Sequence, residues 1–108
     1  MTERRRDERL PARELGLPVG LQSLVPGREP LHGELVNVSA GGMAVWLPKV
    51  LDPGSHWLLT SPDAAGAAVP AKVVATKPAF GGHVHSFKFA SPQAKLADKL
   101  AKGKWPRT

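Results

Sequence analysis

Apolar positions alternate with polar or small ones over short stretches through most of the chain, and proline or glycine closes nearly every stretch. Leu15, Leu17, Val19 and Leu21 share one face of a first segment running to Val25, with the period of two that marks a strand. Pro18 cannot donate to a ladder, so this strand is expected at a sheet edge. Beyond Pro26-Gly27-Arg28-Glu29-Pro30, a second strand is predicted over Gly33 to Val38. In the third, Met43, Val45 and Leu47 alternate with Ala44 and Trp46, and Pro48 ends it. Asp52-Pro53-Gly54 turns the chain into a fourth strand at His56 to Thr60. Val69, Ala71, Val73 and Ala75 alternate with Pro70, Lys72, Val74 and Thr76 in a fifth, which Pro78 closes. After Ala79-Phe80-Gly81-Gly82, a sixth covers His83 to Phe89, with His85, Phe87 and Phe89 on one face. Short strands at regular spacing predict a sandwich or a barrel.

The period changes near the C-terminus. Ser91 suits an N-cap and Pro92 the first helical position, and Ala94, Leu96, Ala97, Leu100 and Ala101 recur at three and four residues. A short amphipathic helix is predicted over residues 92–102, with Lys95, Lys99 and Lys102 turned to water. At the other end, residues 1–13 hold Arg4, Arg5, Arg6, Arg9 and Arg13 among Glu3, Asp7 and Glu8, with almost nothing apolar. Such a segment cannot bury enough surface to stay folded alone and is expected to be a flexible arm, leaving residues 14–108 as one domain.

Composition sharpens this picture at three points. The 11 glycines and 11 prolines favour a turn-rich β fold over a helical bundle. The absence of cysteine excludes disulfides and cysteine-zinc sites and fits a reducing compartment. A net charge of +6 suggests an anionic partner. No apolar run approaches the roughly 20 residues that span a bilayer. No apolar segment follows the basic start as a secretory signal would require. A soluble, cytoplasmic protein is therefore the expectation.

Two stretches could carry chemistry. Asn37-Val38-Ser39-Ala40-Gly41-Gly42 reads as a strand end, a tight reversal and a strand start, with Asn37 and Ser39 on one face and Val36 and Val38 on the other. The glycines can take positive φ and lack a Cβ, which would open the turn's backbone amides to a phosphate or a nucleobase edge. In the arm, Arg5 and Arg9 are four residues apart, roughly 13 Å in extended chain. Two guanidinium groups so placed can fork onto phosphate oxygens or the O6/N7 edge of guanine, and can stack on a purine face. Arg9 and Arg13 repeat the spacing.

Other candidates are weaker. His83 and His85 share a strand face, with His32 and His56 elsewhere. Without cysteines or a carboxylate pair they read as surface or half-buried residues, so no metal site is expected. No nucleophile elbow or HExxH motif occurs, so no enzyme is expected. Trp46, Trp57 and Trp105 read as packing anchors.

Taken together, an R-x-x-x-R arm at Arg5 and Arg9, an apolar first strand, and N-x-S-x-x-G at Asn37, Ser39 and Gly42 resemble the PilZ domain family over essentially the whole length. That resemblance implies an all-β fold, a six-stranded antiparallel β-barrel with a short C-terminal helix. It also implies a non-enzymatic receptor for the bacterial second messenger cyclic di-GMP. Carried over, Arg5 and Arg9 would engage phosphate and guanine, with Arg4 adding a contact and favouring a stacked pair of ligands. Asn37 and Ser39 would hold the other side of the dinucleotide, and Gly42 would permit the turn's shape and close approach of the ligand. Ligand binding would order the arm and relay the signal to a downstream protein. The alternative is a PilZ-like adaptor that works through protein contacts alone. Binding of single-stranded nucleic acid is disfavoured, because no aromatic residues accompany the arm.

Overall fold

The computed structural model describes residues 10–11, 17–25, 27–60 and 68–102. Among the described residues, seven strands and one helix are formed: β1 (Leu10–Pro11), β2 (Pro18–Ser23), β3 (Leu31–Ser39), β4 (Gly42–Leu47), β5 (His56–Thr60), β6 (Val69–Ala79), β7 (Gly82–Phe89) and α1 (Ala94–Ala101). All pairings are antiparallel. The order β3-β2-β5-β6-β7-β4 closes on itself through a β3–β4 ladder, so β2 to β7 make a six-stranded barrel. The two-residue β1 is added to β3 at Leu10 opposite Val38 and Pro11 opposite Asn37.

Alternation fills the interior as the pattern predicts. Val19, Leu21, Leu35, Val45, Leu59 and Val73 are wholly buried in one core. Leu96, Ala97 and Leu100 bring the apolar face of α1 into the same core. The indoles behave as anchors where they are described. Trp46 donates Nε1 to the Ala79 carbonyl at 2.8 Å, and Trp57 donates Nε1 to Ser55 Oγ at 2.9 Å. Trp105 lies outside the described residues, as do residues 1–9 and 12–13 of the arm.

Several local expectations need correction. β2 is not an edge strand: it pairs with β3 from Pro18 to Leu21 and with β5 from Gly20 to Ser23. Pro18 is tolerated because it is the first strand residue and precedes the β5 ladder. The helix begins at Ala94 with Gln93 as N-cap, and no side chain caps it. Ser91 and Pro92 precede it because the chain is still held to the barrel there, Ala90 N bonding to Pro70 O at 3.1 Å and Gln93 N to Ala40 O at 2.7 Å.

The most consequential departures are two β-bulges. On β3 the register slips between Leu35 and Asn37, and on β6 it slips between Val73 and Ala75. Each extra residue reverses the alternation beyond it. Val36 therefore does not share a face with Val38, which is wholly buried, and Ala75 turns outward instead of following Val73 into the core.

Candidate ligand-binding site

The two bulges flank a single cross-strand row. Asn37 stands opposite Ala44, Ala44 opposite Ser86, and Ser86 opposite Ala75. Directly opposed residues share a face. Here the face is the outside of the barrel, since neighbouring Met43, Val45, His85 and Phe87 all point inward and are buried. Four short side chains in a row leave a trough whose walls are the larger groups beside them. The trough has a volume of about 610 Å³, and Val36, Thr76, Lys77, Phe80 and Val84 are among its walls. That lies within the roughly 300–1,000 Å³ of typical small-molecule sites.

Hairpin chemistry shapes one wall. Phe80 sits at the tip of the β6–β7 turn with φ of 51° and is 63% exposed. A bulky aromatic in the left-handed region is strained by about 1–3 kcal/mol, and the following Gly81, at φ 78°, shares the reversal. Trp46 flanks an adjoining pocket with Glu34, Val36 and Phe80. Its ring packs over Gly82, where a Cβ would come within 2.6 Å of Cζ2. Exposed Lys77 supplies a cation at the rim.

The six residues singled out from sequence fall into two groups. Arg4, Arg5 and Arg9 lie outside the described residues. Asn37 is half-buried and lines the trough. Ser39, by contrast, is only 2% exposed, and its Oγ donates to the Gly42 carbonyl at 3.4 Å, bracing the reversal. Gly42 is required for a different reason from the one expected. Neither Gly41 nor Gly42 has a positive φ; instead, a Cβ on Gly42 would overlap the Phe87 carbonyl oxygen of the adjacent strand. Close approach of β4 to β7 is what demands glycine there. The turn's carbonyls face the C-terminal segment, with Gly41 O accepting from Phe89 N at 2.9 Å and Ala40 O from Gln93 N.

Sequence reasoning missed Ser86, Thr76, Lys77 and Phe80 as trough residues. Phe80 was visible as a turn residue and Ala44 and Trp46 as outward positions. The bulge that swings Ala75 and Thr76 had no signal, since it sits among ordinary strand formers.

A buried histidine lies on the inner face of β7, next to outward-facing Ser86. His85 is wholly buried, and its Nε2 accepts from the Leu51 amide at 2.9 Å, pinning the β4–β5 connection to β7. Burial holds its pKa below the ordinary histidine value; the backbone of Val45 opposes that shift and nearby His83 adds to it. An accepting Nε2 requires the neutral ring. No group of three potential metal ligands occurs among the described residues.

The fold is that of a small six-stranded antiparallel β-barrel capped by one short helix, and the sequence match gives the family. The PilZ domain family matches residues 3–102, and the chain belongs to it. Among solved structures, it is similar to the PilZ domain with c-di-GMP of YcgR from Escherichia coli. Identity is 22%, the TM-score is 0.58, and the match covers 82% of this chain and 79% of that one. It is also similar to YcgR in complex with c-di-GMP from the same organism, at 19% identity and a TM-score of 0.58. That match covers 93% of this chain but only 42% of the other. At this identity the likeness establishes the fold. No curated protein sequence matches the chain. Among the described residues, no helix is long and apolar enough to cross a membrane.

Proposed function

We propose that this protein is a cyclic di-GMP receptor in which the N-terminal arginine arm and the trough beside Asn37 bind the dinucleotide together. One observation carries the reading: Leu10 and Pro11 pair with Val38 and Asn37. Arg9 immediately precedes Leu10 in the sequence, which supports reading the R-x-x-x-R segment and the N-x-S-x-x-G turn as parts of one site. Arg5 and Arg9 supply planar cations for phosphate and guanine, Arg4 adds a further contact, and Asn37 offers both a donor and an acceptor. Ser39 and Gly42 act on the ligand through the shape of the turn. Family membership supports the ligand, and the two YcgR structures were determined with it.

Chemically, the site binds and does not transform. The receptor acts in the cytoplasm, and ordering of the arm over the ligand changes the surface shown to a downstream protein. Isothermal titration calorimetry with cyclic di-GMP tests this directly. Micromolar or tighter binding is expected, and no heat at physiological salt would leave the adaptor reading, in which the fold serves protein contacts alone.

A further inference from the structure

The outward row that starts at the motif turn runs on into a set of cations that the nucleotide reading does not use. Ser39 stands opposite Gly42, Gly42 opposite Lys88, Lys88 opposite Lys72, and Lys72 opposite His56. Lys88, Lys72 and His56 are exposed, on adjacent strands about 4.8 Å apart. They line a groove of about 270 Å³ together with Pro70, Phe89 and Ala90.

Two lysines directly opposed across a ladder repel. No carboxylate among the described residues pairs with either; the ion pair formed there is Lys102 with Asp98, at 3.2 Å on α1. Among the described residues the arrangement costs the barrel a like-charge contact and finds no anion to offset it.

We propose that this groove takes the carboxylate side chains of an acidic segment of a partner protein. A phosphate cradle is built on open backbone amides, whereas the amides nearest the groove are committed, Phe89 N to Gly41 O and Ala90 N to Pro70 O. A nucleic-acid track needs a longer run of cations and exposed stacking platforms, and Phe89, the aromatic lining the groove, is 4% exposed. What remains are point charges over a largely apolar floor, which suits the methylenes and carboxylates of glutamate side chains.

Fluorescence anisotropy of a labelled hexaglutamate peptide with the full chain tests the assignment. Lys72→Gln/Lys88→Gln should weaken binding about tenfold or more, the scale expected when close charge pairs are lost. Lys49→Gln/Lys95→Gln, which leaves the groove intact, should change it little. Thermal melting of the groove variant should show a retained or raised midpoint, since a repulsion has been removed. Equal peptide affinity in the groove variant would overturn the proposal and assign the binding to the arginine arm. A parallel loss of cyclic di-GMP affinity would also overturn it, by giving the lysines to the nucleotide. So would a thymidine oligonucleotide that bound more tightly than the peptide.

Discussion

The amide of Gln93 donates to the carbonyl of Ala40 at 2.7 Å, so the turn between Ser39 and Gly42 is bonded to the N-cap residue of α1. Anything that stiffens the turn stiffens the start of the helix. Hydrogen exchange of the Gln93 and Ala97 amides should therefore slow when cyclic di-GMP saturates the protein, along with that of residues 2–9 in the arm. Exchange unchanged in both segments at saturation would rule out the ordering switch.

In the proposed receptor, arm and trough would contribute different kinds of contact, and their variants should separate. On that reading Arg5→Ala and Arg9→Ala would each remove a charge-assisted fork, worth about 1.5–3 kcal/mol, and calorimetry should lose most of the heat. Asn37→Ala and Ser39→Ala should weaken binding more mildly. Equal affinity in Arg5→Ala and the unaltered protein would shift the pair to Arg9 and Arg13.

Gly42→Ala is expected to destabilise the barrel by about 1–3 kcal/mol through overpacking, because the added methyl would meet the Phe87 carbonyl. Chemical denaturation would measure it. A midpoint equal to that of the unaltered protein would mean that β4 and β7 separate more easily than their register implies.

His85 makes stability depend on pH. Its folded pKa lies below the ordinary value of 6.5, so as pH falls below about 6.5 the unfolded chain takes up a proton that the folded one does not. Stability should be full above that pH, fall through the window below it, and level off once the folded ring also protonates. His85→Gln should flatten that part of the profile. An unchanged slope in the variant would mean that His85 does not set the dependence.

Leu100 is wholly buried although it belongs to a helix of only eight residues. Leu100→Ala should lower stability by about 2–5 kcal/mol, as read by thermal melting. A loss near zero would mean that α1 is dispensable to the barrel.

Much of the barrel was legible from period alone. Met43, Val45 and Leu47 point inward as their alternation requires, and His56 to Thr60 is a strand with the bounds the turn signals set. The trough was not, because it depends on where the period breaks. Val36 and Val74 are good strand residues, and nothing in a run of β-branched side chains marks which of them the partner strand will skip. Gly42 was recognisable as a necessary glycine, but the necessity arises from Phe87, 45 positions away in sequence, and not from the local turn. The helix start was misplaced for a similar reason. Local capping chemistry favoured Ser91, and a long-range bond from Gln93 to Ala40 prevailed.

Closure of the ring through the β3–β4 ladder has a further consequence. Each of the six strands of the ring pairs with two neighbours, so none of them is a wholly free edge of the kind that invites strand addition. Side chains on the outer wall and on α1 are set by residue identity and can diverge without disturbing the fold. A domain built this way can keep one barrel while exchanging the surface it presents.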